Sequence, residues 1–128
     1  MSRSKQSRHT NAFILLFLAK SSPAYGAQIL SRLQDELPFC LTDSPSVYRA
    51  LQDMEEKHWI ESMWKTSETG PPRRWYSITP QGQTSLFKYA HDIKQRQANF
   101  EYFLKHYSQV NKQFNAERSI QDEIETDH

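Results

Sequence analysis

The sequence predicts a mainly α (α+β) fold, in which a winged helix-turn-helix domain with a two-stranded wing precedes a long C-terminal dimerisation helix. Three observations predict it. An amphipathic helix is expected over residues 44–57, and two short strands, 59–65 and 74–79, follow it directly. The tip between the strands holds Gly70-Pro71-Pro72-Arg73, a turn sequence with a positive charge. Apolar residues then recur at seven-residue spacing along the rest of the chain.

The composition limits the protein to one domain with an appendage. The chain has 128 residues and a hydrophobic fraction of 37%, which is low for a core without a partner surface. Its single cysteine, Cys40, excludes a disulfide framework and fits a reducing cytoplasm. The longest apolar run, residues 12–19, is too short to span a bilayer, so we expect a cytoplasmic protein without a membrane partner.

Charge is distributed unevenly along the chain. The net charge is only +1, yet residues 1–34 contain basic residues and no acid, whereas the last dozen residues carry five acidic residues against one arginine. A basic N-terminal part is typical of a protein that faces phosphates. A solvated asymmetry with no partner is the alternative interpretation.

The N-terminal part predicts two helices. Residues 1–8 are expected to form a flexible basic tail, and the winged helix-turn-helix domain is expected over 9–79. Thr10 or Asn11 is a suitable cap for a first, largely buried helix. A second helix opens at Tyr25-Gly26 and ends before Pro38.

The third helix has a clear start and two distinct faces. Ser44 is a suitable N-cap, and Pro45 suits the first helical position. His58 follows the helix, where a left-handed backbone is often needed. The core-facing positions are Val47, Ala50, Leu51 and Met54, and the outward positions are Ser46, Tyr48, Arg49, Gln52 and Asp53.

The last helix carries the second strong pattern. Thr79 is a suitable N-cap with Pro80 in the first position, and a dimerisation helix is predicted over 80–115. The residues expected at the interface are Leu86, Ile93, Phe100, Leu104 and Tyr107. A two-fold partner explains this stripe best, and a helix folded back on its own domain is the alternative. The acidic residues 116–128 are expected to be disordered.

A winged helix places its third helix in the major groove of double-stranded DNA and its wing beside the backbone. The candidate DNA-binding residues are Ser44, Ser46, Tyr48, Arg49, Gln52, Arg73 and Arg74. Arg49 and Gln52 suit base edges, whereas Tyr48 and the serines suit phosphate oxygens. For Tyr48 the alternative is packing against the wing, and for Arg74 it is a cross-strand pair with Glu61.

An enzyme is not indicated. The five histidines are scattered, and no spacing of His, Cys and acidic residues suggests a metal site. The sequence contains no glycine-rich phosphate loop and no nucleophile motif. We therefore expect no catalytic residues, no metal and no cofactor.

These segments, in this order, resemble the PadR family of transcriptional regulators, in its short form with a single C-terminal dimerisation helix. The resemblance covers roughly residues 12–92 and rests on several stretches: Ile14-Leu15-Leu16-Phe17-Leu18, Tyr25-Gly26-Ala27-Gln28-Ile29-Leu30, Val47-Tyr48-Arg49-Ala50-Leu51, Met54-Glu55-Glu56, Trp59-Ile60-Glu61-Ser62, Gly70-Pro71-Pro72-Arg73-Arg74-Trp75-Tyr76 and Thr79-Pro80-Gln81-Gly82. The chain departs from the family where Ser44-Pro45 stands near the usual Pro-Gly pair and where His58 replaces a glycine.

The resemblance implies a homodimeric, sequence-specific repressor that binds an inverted-repeat operator and is released by an aromatic or hydrophobic small-molecule effector. The aromatic residues proposed for such an effector site are Phe13, Phe17, Tyr89 and Phe103. The simpler interpretation is that these rings form interface core. Two other functions stay open: a DNA-binding protein without an effector, and a winged-helix protein–protein interaction module without sequence-specific DNA binding.

Overall fold

The predicted fold class is confirmed by a computed structural model, which describes residues 2–40, 42–67 and 70–126. The elements in chain order are α1 (Ser2–Lys20), β1 (Ala24–Tyr25), α2 (Gly26–Glu36), α3 (Ser44–Glu56), β2 (Ile60–Ser67), β3 (Gly70–Ile78) and α4 (Pro80–Thr126). The strands form one antiparallel sheet in the order β1-β3-β2. The chain divides into two compact units, Met1–Ala90 and His91–His128.

The core of the first unit is built from the apolar faces of α1, α2 and α3. Its fully buried side chains are Ile14, Leu15, Leu18, Ile29, Leu33, Val47, Leu51, Met54 and Ile60. Each such side chain contributes about 1.5–3 kcal/mol when it leaves water. The four core positions predicted for α3 are all buried, which fixes the direction of its opposite face.

Helix α1 begins earlier than the sequence predicted. The expected caps Thr10 and Asn11 lie inside the helix, which starts at Ser2, so residues 2–8 are helical in the structure. Residues 2–10 contain neither proline nor glycine, so nothing interrupts the helix toward its N-terminus. Thr10 and Asn11 are buried, and the Thr10 hydroxyl lies 2.9 Å from that of Thr42.

The cap of α3 is also corrected. Asp43, rather than Ser44, is the N-cap, because its carboxylate accepts a hydrogen bond from the Ser46 amide at 2.9 Å. The left-handed residue after the helix is confirmed, since His58 has a φ of 62°. The chain turns there into β2, and the Trp59 amide donates to the Met54 carbonyl at 2.9 Å.

The wing differs from the predicted two-stranded hairpin in two ways. First, β1 adds a third strand, with Ala24 opposite Tyr76 and Tyr25 opposite Trp75. Second, the predicted tip residues 70–73 belong to β3, where Arg73 lies opposite Lys65. The connection between β2 and β3 falls at residues 68–69, outside the described part of the chain.

Helix α4 starts as predicted and ends later. The Thr79 hydroxyl accepts a hydrogen bond from the Gly82 amide at 3.1 Å, so Thr79 is the N-cap. The first turns of α4 belong to the first unit, which extends to Ala90. The helix continues to Thr126, so residues 116–126, expected to be disordered, are helical in the structure.

Candidate nucleic-acid interface

The outward face of α3 is the main candidate surface. Tyr48, Arg49 and Gln52 are exposed, whereas Val47, Ala50, Leu51 and Met54 on the opposite side are buried. Burial of the back of α3 leaves the helix rigidly mounted with its polar side chains in solvent. Ser44 is exposed at the start of the same helix, and Ser46 is half-buried.

The N-terminus of α3 is less open to a phosphate than the sequence suggested. The Ser46 hydroxyl and amide both bond to the Asp43 carboxylate, and these bonds hold the pKa of Asp43 below its ordinary value of 3.8. Pro45 has no N–H, and the Val47 amide donates to the Asp43 carbonyl at 3.1 Å. The cap therefore uses the Ser46 amide, which would otherwise have been open to an anion.

Tyr48 packs on the start of α2, which the sequence did not predict. A Cβ atom built on Gly26 would lie 2.5 Å from Cε1 and 3.0 Å from the hydroxyl oxygen of Tyr48, so the ring lies directly on the glycine backbone. The side chain is still 48% exposed. Gly26 thus holds one edge of the ring, and the other edge faces solvent.

The two candidate arginines of the wing lie on opposite faces of the sheet. Arg73 projects from the outer face, where its guanidinium lies 4.3 Å from the centre of the Tyr25 ring. Arg74 projects toward α3 and forms an ion pair with Glu55, and its Nε donates to the Ser62 hydroxyl at 3.0 Å. The sequence-based alternative of an Arg74–Glu61 pair is wrong, because alternation places Glu61 on the outer face.

The sequence analysis missed two further side chains beside Arg74, one on the inner face of the wing and one on α3. Trp64 lies opposite Arg74 on β2 and is 65% exposed. Glu55 follows Gln52 by three positions on α3 and therefore lies on the same side of the helix. This spacing was readable from the sequence, whereas the exposure of Trp64 depends on β2 extending beyond the core.

On the inner face of the sheet, Tyr76 is buried beside Arg74. Tyr76 is 6% exposed, and burial raises the pKa of its hydroxyl above the ordinary value of 10.0. The Arg74 guanidinium lies 5.7 Å from the centre of the same ring. Tyr76 is therefore a neutral, packed support for the arginine at physiological pH.

The predicted interface residues of α4 divide between the two units. Leu86 packs against the core of the first unit, and Ile93 is half-buried. Phe100, Leu104 and Tyr107 of the second unit are 63%, 62% and 51% exposed. The same unit exposes Phe103, Val110 and Phe114, so these residues form a continuous apolar stripe at helical spacing.

The four aromatic residues proposed for an effector lie in different surroundings. Phe17 is buried beneath Arg32, whose guanidinium lies 4.7 Å from the ring centre, and Phe13 is half-buried against the same core. Tyr89 meets the edge of Trp59 at 6.1 Å, and Phe103 stacks on Tyr107 at 6.0 Å.

None of the four proposed effector residues lines the open cavity that the sheet forms. That cavity has a volume of about 340 Å³ and is lined by Pro23, Glu61, Ser62, Met63, Lys65, Trp75 and Ser77.

Neither a cluster of three metal-ligand side chains nor a membrane-spanning helix is found among the described residues. Among residues 2–40, 42–67 and 70–126, no three His, Cys, Asp or Glu side chains come together as metal ligands. Within the same ranges, no helix combines the length and the apolar character that crossing a bilayer requires.

The comparison with protein families decides the identity of the domain. Residues 14–88, which include α2, α3 and the whole sheet, match the model of the transcriptional regulator PadR-like family. The chain belongs to the PadR-like family. The match covers more than half of the sequence and contains every predicted DNA-binding residue. The family consists of transcriptional regulators and not of enzymes.

Solved structures share the fold. A PadR family transcription regulator from Clostridium difficile is similar with a TM-score of 0.66 and 24% identity, over 75% of this chain and 98% of that one. A PadR-like transcriptional regulator from Bacillus cereus is similar with a TM-score of 0.63 and 24% identity, over 73% of this chain and 89% of that one. A transcriptional regulator from Thermoplasma acidophilum is similar with a TM-score of 0.68 and 21% identity, over 77% of this chain and 93% of that one. None of the curated proteins compared with the chain is detectably similar in sequence.

Proposed function

We propose that this PadR-like regulator is a cytoplasmic homodimer that binds an inverted-repeat operator through two copies of α3 and represses transcription from it. One observation carries the proposal: Tyr48, Arg49 and Gln52 are exposed on a helix whose opposite face is fully buried. A helix mounted in this way can enter the major groove without rearrangement. Arg49 and Gln52 have the donors and acceptors that read base edges.

Dimerisation is supported by the apolar stripe of the second unit. Six large apolar side chains, Phe100, Phe103, Leu104, Tyr107, Val110 and Phe114, are each at least 41% exposed. A contiguous exposed apolar surface of this kind usually marks an interaction site. A second copy of the chain carries the same stripe, and heptad spacing suits helix-to-helix packing.

The dimer is required for useful affinity. A single module makes few phosphate contacts, and nonspecific binding alone gives dissociation constants of about 10⁻⁴ to 10⁻⁶ M. Two modules held together bind the two half-sites of an inverted repeat as one unit. Loss of the dimer should therefore remove operator binding while leaving each domain folded.

The test replaces Phe100 and Leu104 together with glutamate. The matched control places glutamate at Ala98 and Gln109, which are exposed on the opposite side of the same helix and receive the same added charge. Sedimentation should give monomers for the first variant and dimers for the control. Persistent dimers of the Phe100/Leu104 variant would contradict the proposal.

DNA binding is tested with a duplex that the wild-type protein selects from a random-sequence pool. Its affinity should fall steeply with salt, because each phosphate contact releases counterions. Failure to select any duplex would instead leave the protein-interaction module as the function of this fold.

An effector that releases the operator is part of the same proposal. Phe13, Phe17, Tyr89 and Phe103 are the predicted contacts, and Phe103 is the most exposed of the four. Melting of the dimer in the presence of aromatic acids and hydrophobic amines tests it, since a ligand of the folded state raises the melting temperature. A regulatory ligand must also change the affinity for DNA, because only differential binding shifts the equilibrium between two states.

A further inference from the structure

A closed ring of hydrogen bonds joins α3, the proposed recognition helix, to strands β2 and β3 of the wing. Arg74 of β3 donates through Nη2 to Oε1 of Glu55 on α3. The Ser62 hydroxyl of β2 donates to Oε2 of the same carboxylate. Ser62 Oγ in turn accepts from Arg74 Nε at 3.0 Å. Each of the three groups is therefore bonded to the other two.

This ring is placed where it can restrain the orientation of the wing relative to α3. At the root of the wing, α3 is joined to β2 through His58 and the Trp59–Met54 backbone bond. The ring lies further out, because Ser62 and Arg74 lie beyond the Ile60–Ile78 pair, toward the distal end of the sheet. The backbone bond at the root and the ring further out connect α3 to the sheet at two points along the strands. Two such connections fix the angle between α3 and the wing, which one connection alone would leave free. Glu55 thus restrains the tilt of the wing relative to α3.

The bonding of Arg74 also limits what it can do for DNA. Its guanidinium uses two donor nitrogens within the protein and lies against the buried Tyr76 ring. The side chains of Arg74 and Glu55 are 43% and 28% exposed, so the pair is half-covered rather than freely solvated. Arg73 lies on the outer face of the same strand and takes no part in this ring.

We propose that Glu55 is a positioning residue for DNA recognition: it holds Ser62 and Arg74 so that the wing is set at a fixed angle to α3. In this role Arg74 acts inside the protein and is not a phosphate ligand. The inference rests on the proposed DNA-binding function. It makes an acidic residue of the recognition helix favourable for binding a polyanion, which simple electrostatics would not predict.

The sign of one substitution tests the inference. Glu55→Gln removes a negative charge near DNA, so electrostatics alone would tighten binding. If the ring positions the wing, Glu55→Gln should weaken binding about three- to fivefold, which is the upper range for a partly exposed ion pair. Glu56→Gln is the matched control, since it removes the same charge from the exposed neighbouring position. It should leave affinity unchanged or raise it.

A second comparison separates positioning from phosphate contact. Arg74→Ala should weaken binding of the selected duplex while leaving the slope of log affinity against log salt unchanged. Loss of a phosphate contact would instead lower that slope by about one. The double variant Glu55→Gln/Arg74→Ala should bind no more weakly than the weaker single variant, because both substitutions open the same ring. A lowered slope, additive losses, or tighter binding by Glu55→Gln overturns the inference.

A measurement without DNA keeps this test independent of the proposed function. Amide hydrogen exchange of residues 70–78 should be faster in Glu55→Gln than in Glu56→Gln, because the outer attachment of the sheet is lost. Equal exchange in the two variants overturns the inference by itself. Absence of any duplex binding by the wild type would overturn the proposed function, whatever the exchange shows.

Discussion

Gly82 packs directly against the backbone of Trp59, so we expect even the smallest side chain at this position to destabilise the fold. Gly82 is buried in the first turn of α4, and a Cβ atom built there would lie 2.0 Å from the Trp59 carbonyl oxygen. Real Cβ contacts are not shorter than 3.0 Å, so Gly82→Ala must separate the two backbone segments by about 1 Å. Neither segment can yield easily, because the Trp59 carbonyl also accepts a hydrogen bond from the Thr79 amide at 3.0 Å. The Thr79 hydroxyl is shared between the Trp59 carbonyl, at 2.9 Å, and the His58 carbonyl, at 2.6 Å.

The size of the effect follows from these contacts. Overpacking costs about 1–3 kcal/mol, and weakening the two hydrogen bonds at Trp59 adds about 1 kcal/mol each. The better helix propensity of alanine returns about 1 kcal/mol. We expect Gly82→Ala to lower the free energy of unfolding by about 2–4 kcal/mol.

Urea unfolding at a fixed protein concentration measures this loss, since the proposed dimerisation would make stability depend on concentration. Gly26→Ala is the matched control, because its close neighbour is the half-exposed Tyr48 ring, which can swing into solvent. The control should lose less than about 1 kcal/mol. Equal stabilities of Gly82→Ala and wild type, or equal losses in both variants, would refute the reasoning.

Three other outcomes follow from the same geometry. Gly26→Ala should displace Tyr48 and weaken DNA binding while its urea midpoint stays near that of wild type; unchanged affinity would exclude a role for the ring. Arg49→Ala should weaken binding of the selected duplex by about 1–3 kcal/mol and relax specificity at one base position, as measured by repeating the selection. Asp43 stabilises α3 above its ordinary pKa of 3.8 and loses this contribution as the pH falls through its lowered folded-state pKa. Below about pH 4, the urea midpoint of wild type should therefore fall more steeply than that of Asp43→Asn, and parallel curves would contradict this.

The sequence was sufficient where local rules decide the structure. Apart from β1, the order of helices and strands after residue 20 follows hydrophobic periodicity, and the Thr79 cap follows the preference of helix starts for threonine before proline. The left-handed backbone at His58 was also predicted, because the chain must leave α3 and reverse into β2. These features depend on residues close together in the chain.

The sequence was insufficient where two local choices compete or where contacts are distant. Asp43 and Ser44 are both good caps, and proline is tolerated at either of the first two helical positions, so the register of the α3 start was ambiguous. Strand β1 has only two residues, which is too short for any alternation to show. The Arg74–Glu55 pair joins a strand to a helix, and alternation along β3 gives the face of the arginine but not its partner.

The short strand β1 has a practical consequence for anyone who exchanges DNA-reading parts between relatives. Ala24 and Tyr25 lie immediately before α2, yet they complete the sheet by pairing with Tyr76 and Trp75. A chimaera that transplants only residues 60–78 would pair the hairpin with a β1 segment from a different protein. Residues 24 and 25 should therefore be transferred together with the hairpin, so that all three strands come from the same parent protein.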